Sequence, residues 1–253
     1  MPLQKVDLRP GINREGTRYS KEGGWYDGDK IRFRQGSPEK IGGWTRISTS
    51  TFLGVCRALH NWVTLGGQNL IGVGTHLKYY INNVGNYNDI TPIRATVSLT
   101  NPFATTSGSA TVIVTDTNLG YKDGDFVTFS NASAVGGLTI DGEFQLSVGV
   151  LSGANQYSIT AASNATSTTT GGGSVSAEYQ INTGNAFATL LSGWGAGAWG
   201  SGPWNVGISS VAGVRFWTHS NFGEDLIFGP DGGSIYYWDA TNGVGTRGIF
   251  FFF

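Results

Sequence analysis

The chain is poor in cysteine and in charge. Cys56 is the single cysteine among 253 residues, so the internal disulfides that staple small secreted domains cannot form. Charged residues make up 13% of the sequence, about half of the usual share, and the formal net charge is -1. No run approaches the roughly 18 apolar residues of a membrane-spanning helix. The opening residues, MPLQKVDLRPGINREG, lack the apolar core of a secretion signal. We therefore expect no disulfide scaffold and no membrane span, and nothing marks the chain for secretion.

Motifs that carry chemistry are also absent. His60, His76 and His219 are the only histidines, and no HxH, HExxH or Cys/His spacing predicts a zinc site. No GxSxG segment marks a serine nucleophile. Four carboxylates lie in the segments KDGD and IDGE, which are typical of Asp-Gly hairpin turns rather than of a calcium site or a catalytic pair: Asp123, Asp125, Asp141 and Glu143. We expect no catalytic residue, no metal and no cofactor, and a protein that is not an enzyme.

Glycine and aromatic residues are what the sequence has in excess. It contains 40 glycines, more than twice the average usage of about 7%, and 13% aromatic residues. Frequent turns between short runs of alternating apolar and polar residues are typical of an all-β protein. Amphipathic helical periodicity is almost absent, and only residues 185–191, NAFATLL, predict a short turn of helix. The sequence therefore predicts an all-β fold.

Residues 23–44, GGWYDGDKIRFRQGSPEKIGGW, predict a β-hairpin with aromatic ends. Lys30–Arg34 alternates apolar and basic residues, so Ile31 and Phe33 face one side and the charges face the other. The turn signals are DG before this strand and GSP after it, and a second strand begins at EKIGGW. Residues 1–46 hold ten bases against six acids, a net charge of +4. Two interpretations stay open: a docking element that contacts another subunit, or a solvated charged strand face.

Two distant segments resemble each other. Residues 61–80 read NWVTLGGQNLIGVGTHLKYY, and residues 216–237 read FWTHSNFGEDLIFGPDGGSIYY. Each predicts a Trp strand, a Leu-Ile strand and a strand that ends on paired tyrosines, with glycine-containing turns between them. Repetition of such a meander is typical of β-propeller blades. The two copies lie too far apart in the sequence to be adjacent blades of a regular array. We expect propeller-like blades that need not form a complete set.

A different pattern separates the two copies. Five alternating strands are expected there: Ala110–Thr115, Phe126–Phe129, Gly142–Val148, Gln156–Thr160 and Gly173–Gln180. They predict a small β-sandwich or barrel inserted between the blades. The sequence thus divides into residues 1–94 with the hairpin and first blade, residues 95–181 with the inserted module, and residues 182–253 with the second blade. The final GIFFFF leads us to expect a truncated chain.

A glycine- and tryptophan-rich segment precedes the second copy. Residues 193–204, GWGAGAWGSGPW, carry Trp194, Trp199 and Trp204 at spacings of five. Glycine lets the backbone bend tightly, so each indole must pack on something distant in the sequence. Two interpretations stay open: a loop pinned by burial of its aromatic rings, or an aromatic surface that stacks on a sugar or on a partner subunit.

The N-terminal region carries a family resemblance. Residues 8–44, LRPGINREGTRYSKEGGWYDGDKIRFRQGSPEKIGGW, resemble the opening of the tail nozzle (tail hub, or packaged-DNA-stabilisation) proteins of short-tailed bacteriophages. Residues 58–93, ALHNWVTLGGQNLIGVGTHLKYYINNVGNYNDITPI, look like the first blade of that family. The inserted module, around DGDFVTF and GGSVSAEYQI, is similar to the small β-domains that these proteins carry.

This resemblance implies a virion protein of the phage tail that is made in the host cytoplasm and catalyses no reaction. It implies a homo-oligomeric ring, typically hexameric, beneath the portal and its head-tail adaptor protein, with tail fibres or spikes as further partners. The ring retains packaged DNA and allows the non-specific passage of double-stranded DNA during ejection. The hairpin is then a docking element. The residues that we expect at subunit or adaptor contacts are Trp25, Tyr26, Lys30, Arg32, Arg34 and Trp44.

Two other classes remain. A carbohydrate- or receptor-binding β-protein of a phage tail explains the Trp-rich segment and the Ser/Thr-rich surface but leaves the charged hairpin unexplained. A polysaccharide-degrading tail spike needs carboxylates placed across a cleft, which spacing alone does not reveal.

Overall fold

The computed structural model describes residues 9–17, 19, 23–43, 45–46, 48–117, 120–148, 155–190 and 211–251. The chain divides into two compact units, Met1–Ile47 and Ser48–Phe253. Within the described ranges the regular elements are twenty β-strands and one 3₁₀ turn, Ala240–Asn242, with no α-helix. The all-β prediction is confirmed. No helix in these ranges has the length and apolar character needed to cross a bilayer.

The first unit contains a two-stranded antiparallel hairpin, β1 (Ile31–Arg34) and β2 (Ser37–Lys40). Its turn consists of Gln35 and Gly36, which both have positive φ, 48° and 82°. Such two-residue turns match the twist of the strands that they join. The sequence expectation of a GSP turn was wrong, because the left-handed Gln35 starts the turn one residue earlier and leaves Ser37 and Pro38 in a strand.

The second unit begins with a four-stranded antiparallel meander in which the strands pair in chain order. Its strands are β3 (Cys56–Val63), β4 (Asn69–Thr75), β5 (Tyr79–Asn83) and β6 (Asn86–Asp89). One face carries Trp62, Leu70, Tyr79 and Ile81, which are all buried. Alternation with period two places these side chains on the same side of the sheet. We call this sheet the first meander.

Residues Ile93–Gln180 form two further four-stranded sheets. The strands are β7 (Ile93–Thr100), β8 (Phe103–Thr105), β9 (Thr111–Thr115), β10 (Phe126–Ser130), β11 (Gly142–Gln145), β12 (Gln156–Thr160), β13 (Thr169–Gly171) and β14 (Ser174–Gln180). One sheet has the order β11-β10-β14-β7 and the other β12-β9-β8-β13. Their buried side chains, among them Phe103, Phe129 and Tyr157, form one core cluster. This is the β-sandwich that the fold prediction describes.

The five strands expected in this module are all present, and three more were missed. Strand β13 escaped prediction because its sequence, TTG, has no apolar residue and reads as a loop. It pairs with β8 through the backbone. Burial of Phe103 on β8, rather than a pattern within β13, brings the two strands together.

A short pair, β15 (Thr189–Leu190) and β16 (Val211–Ala212), follows the sandwich. The helical turn expected in residues 185–191 is wrong, because Asn185 forms a parallel β-bridge with Val214 and the chain then enters β15. Residues 193–204, including Trp194, Trp199 and Trp204, lie outside the described residues.

The chain ends in a second meander whose strands also pair in chain order. They are β17 (Trp217–Phe222), β18 (Asp225–Pro230), β19 (Tyr236–Trp238) and β20 (Ile249–Phe250). Both copies of the sequence repeat therefore fold as four-stranded, blade-like sheets. Two such sheets do not by themselves close a propeller.

The two meanders pack directly against each other around one shared hydrophobic cluster. The Trp217 indole N–H donates a hydrogen bond to the Thr75 carbonyl at 2.7 Å, and the Tyr79 and Phe228 ring centroids are 4.5 Å apart. The two copies are therefore neighbours in space, although the sandwich separates them in the sequence. Ile93 and Gln180 lie opposite each other in the β7–β14 pair, so the inserted sandwich leaves and returns at nearly one point.

Gly74 makes this close packing possible. A Cβ atom on Gly74 would lie 2.6 Å from Cδ1 and 2.8 Å from Cγ of Trp217, well inside van der Waals contact. In the second meander, the matching position of the repeat is Pro230. The first meander thus supplies space at Gly74, and the second meander supplies the Trp217 ring that occupies it.

We predict that Gly74→Ala lowers the free energy of unfolding by about 1–3 kcal/mol, the usual cost of overpacking a core. Urea denaturation measures the change. Gly66→Ala is the matched control, since a Cβ on Gly66 makes only ordinary contact, 3.7 Å from Thr64 Oγ1. Equal urea midpoints for Gly74→Ala and Gly66→Ala would contradict the close packing of Gly74 on Trp217.

Candidate functional site

The outward face of the hairpin is the docking surface that the sequence predicts. Arg32 and Arg34 are exposed, whereas Ile31 and Phe33 between them are half-buried. The strand therefore presents its charges on one face and its apolar side chains on the other.

The cations of the hairpin differ in their partners. Arg32 forms an ion pair with Glu39, which lies directly across the hairpin. The Lys30 Nζ atom lies 4.0 Å from Asp29 Oδ2. Arg34 is exposed and has no ion-pair partner among the described residues of its unit. A partner with negative charge would therefore meet Arg34 without first displacing an internal carboxylate.

Trp25 and Tyr26 precede the hairpin, and both are half-buried. The Trp25 ring meets Phe33 edge to face, with centroids 6.2 Å apart. The Trp25 carbonyl accepts a hydrogen bond from Asn13 N–H at 2.9 Å. Trp25 thus contributes to packing within its own unit, and Trp44 lies outside the described residues.

The four carboxylates of the KDGD and IDGE segments have separate roles. Asp125, which is 1% exposed, accepts hydrogen bonds from Thr183 N–H at 2.7 Å and from the Asn182 side chain at 2.5 Å. Asp123 and Asp141 each accept a backbone N–H within the sandwich. These bonds fix turns and the segment that leaves the sandwich. No group of three or more His, Cys, Asp and Glu side chains in the described ranges is placed to hold a metal ion.

The fourth carboxylate, Glu143, belongs to a cluster of four charges. The Lys78 ammonium lies 2.7 Å from Asp89 Oδ2 and 2.5 Å from Glu143 Oε1, with its side chain only 3% exposed. Arg247 reaches the same two carboxylates at 3.3 and 3.6 Å. Lys78 also lies 4.4 Å from the centroid of the Phe126 ring. We call these four residues the junction cluster.

The junction cluster connects three sheets. Lys78 and Asp89 belong to the first meander, Glu143 to the sandwich, and Arg247 to the segment before β20 of the second meander. Burial alone would raise the pKa of Asp89, but the nearby Lys78 and Arg247 charges hold that pKa below its ordinary value. Sequence reasoning missed the cluster, because its members are spread over 170 residues and no spacing links them.

A second polar group lies where β3 and β17 approach each other. The Tyr79 hydroxyl is 2.7 Å from His219 Nδ1, and the rings of His60 and His219 are 5.1 Å apart. His60 also stacks on Trp62 at 5.5 Å. Burial lowers the pKa of His219, and the positive charge of a protonated His60 lowers it further. A neutral His219 imidazole therefore fits this contact better than a charged one.

Comparisons with known proteins provide no family. No family model matches the chain, and no curated protein sequence matches it. Among solved structures, the chain is similar to the phage phi92 endosialidase, at 15% sequence identity and a TM-score of 0.31. That match covers 85% of this chain and 32% of the endosialidase chain, so the chain spans about a third of its length. At this level of similarity it carries no argument about function.

We predict that Lys78→Met destabilises the second unit by about 3–5 kcal/mol, the usual cost of removing one partner from a buried ion pair. Asp89 and Glu143 would then share only Arg247. Urea unfolding measures the loss, and Lys122→Met, at an exposed lysine, is the control. If Lys78→Met does not fold, the milder Glu143→Gln serves as the test. An unchanged urea midpoint in both Lys78→Met and Glu143→Gln would contradict a structural role for the junction cluster.

We predict that the protein loses stability as the pH falls from 7.5 to 5.5. The pKa of His219 is lower in the folded chain than in the unfolded chain, so the unfolded state binds more protons as the pH falls. The stabilisation is complete above the unfolded pKa of about 6.5 and decreases below it. The urea midpoint of His219→Gln should fall less over this range, whereas Ser220→Ala should follow the wild type. A midpoint that rises on acidification would contradict the prediction.

Proposed function

We propose that this chain is a structural subunit of a phage tail that works by shape and self-association rather than by catalysis. In this proposal it forms the nozzle, a homo-oligomeric ring below the portal and adaptor that retains packaged DNA and conducts it during ejection. The resemblance of residues 8–44 to tail nozzle proteins supports the assignment of the chain to this class of tail protein. In this proposal the protein is located in the virion.

The observation that carries the proposal is the packing of the two meanders. Two blade-like sheets, whose sequences are separated by the whole sandwich, share one aromatic cluster and approach each other at their first strands. A β-propeller is built from such four-stranded sheets arranged around a central channel. The packing of the two meanders therefore supports a wall built of blades, as the proposed conduit requires.

The distribution of polar groups supports the same proposal. Within the described residues, Asp125 is engaged by hydrogen bonds and Glu143 by ion pairs, and both serve to hold the sheets in place. The hairpin, in contrast, presents Arg34 without an ion-pair partner among the residues that the structure describes. In the proposed ring Arg34 contacts a carboxylate of a neighbouring subunit or of the adaptor.

We predict that the purified protein assembles into rings with a central hole, seen by light scattering and negative-stain imaging. Arg34→Glu should shift most of the protein from rings to smaller species, because it places a carboxylate against the acidic partner. Its melting temperature should stay within about 2 °C of the wild type, since an exposed substitution changes stability by less than about 0.5 kcal/mol.

Arg46→Glu is the matched control, because Arg46 is also exposed, lies in the same unit and makes the same change of charge. A wild-type protein that stays monomeric at all concentrations would overturn the proposed ring. Equal loss of assembly in the two variants would assign the effect to net charge and not to the hairpin. A clear fall in melting temperature for Arg34→Glu would make Arg34 part of the fold.

A further inference from the structure

A hollow of about 440 Å³ lies where the sandwich meets the second meander. The Lys122–Asp123 turn of the sandwich lines one side, and Phe216 with Asp231 of the second meander lines the other. The segment Thr183–Asn185, which leaves the sandwich, lies between them. Ligand sites commonly occur at such junctions, and this volume falls in their usual range.

Backbone hydrogen bonds fix the walls of the hollow. Arg215 N–H donates to the Asn185 carbonyl at 3.1 Å, and Gly184 N–H donates to the His76 carbonyl at 2.8 Å. Asp231 N–H donates to the Phe216 carbonyl at 3.1 Å, so these two residues are held side by side. The hollow is therefore formed by backbone in paired conformations and does not depend on side-chain rotamers alone.

A second hollow shares one lining residue with the first. It has a volume of about 270 Å³ and is lined by Ser220, Ile227 and Ile235, among others. Asp231 lines both hollows. We call the two hollows together the Asp231 trough.

The side chains of the Asp231 trough combine an apolar platform with hydrogen-bonding groups. Phe216 is 49% exposed, so its ring is accessible to a ligand. Asp231 accepts the Thr218 hydroxyl at Oδ1, and among the described residues Asp123 likewise accepts hydrogen bonds only at Oδ1. The Oδ2 atoms of both carboxylates therefore retain the capacity to accept hydrogen bonds.

The charges of the larger hollow balance. Its lining contains two acids, Asp123 and Asp231, and two bases, Lys122 and Arg215. Arg215 donates to the Asn182 carbonyl and stacks over Trp217, so its charge is already engaged within the protein. An anion in this hollow would face two carboxylates, and of the two bases in the lining Lys122 would be left to pair with it. A neutral ligand rich in hydroxyl groups fits this balance better than a charged one.

We propose that the Asp231 trough binds a neutral oligosaccharide. One sugar ring lays its C–H face on Phe216, where the negative face of the phenyl ring attracts C–H groups. Its hydroxyls donate to the free oxygens of Asp231 and Asp123, and Lys122 donates to a ring or hydroxyl oxygen. A following sugar enters the smaller hollow and packs against Ile227 and Ile235. This binding site goes beyond the proposed ring and does not depend on it.

The test screens the whole chain against a microarray of neutral oligosaccharides that also carries sialylated and sulfated glycans, and then titrates the best ligand by calorimetry. We expect a neutral oligosaccharide to bind. Phe216→Ala removes the platform and Asp231→Asn removes the charged acceptor, and each should weaken binding by at least about tenfold, the equivalent of about 1.4 kcal/mol.

Phe222→Ala is the matched control, because Phe222 is an exposed phenylalanine of the same meander, 68% accessible, and does not line either hollow. It should bind as the wild type does, and melting curves should show all three variants folded. The proposal would be overturned if no neutral oligosaccharide on the array binds or if only charged glycans bind. It would also be overturned if Phe216→Ala keeps the full affinity of the wild type.

Discussion

The contact between the two meanders is the constraint on which the second unit depends. Each sheet has a wide apolar face, and neither has a helix to cover it within the described residues. The faces cover each other because Gly74 leaves room for Trp217 and because Tyr79 reaches Phe228. Two buried polar groups of that contact, the Trp217 N–H and the Tyr79 hydroxyl, find partners across it. The Trp217 ring of one sheet fits the space beside Gly74 of the other sheet, and this fit makes the pairing of the two sheets specific.

The inserted sandwich adds a second core without disturbing the first. Its ends lie next to each other at Ile93 and Gln180, so it behaves as a long loop whose closure costs little additional entropy. The junction cluster then couples its orientation to both meanders through Lys78 and Glu143. An ion pair of this kind contributes little net stability, but the loss of one partner leaves the buried Lys78 ammonium or its carboxylates without compensation.

Many polar groups of the described residues hold the sheets together. Within the described residues the buried carboxylates are hydrogen-bonded or ion-paired, and the buried tyrosines have raised pKa values because burial disfavours their charged forms. The groups that remain open lie at the surface, on the hairpin and in the Asp231 trough. The proposed assembly contact and the proposed sugar site both rest on these open groups.

The sequence by itself determined the local structure. The internal repeat located three strands of each meander. Period-two alternation located the hairpin and five strands of the sandwich, because alternation reports burial of one strand face. It failed for β13, which is held by its neighbour, and for the Gln35–Gly36 turn, whose left-handed backbone no apolar pattern encodes. Only the tertiary structure decided that the two repeats are neighbours and that Lys78 meets Glu143. Such contacts join residues far apart in the chain, and a pattern within one segment carries no information about them.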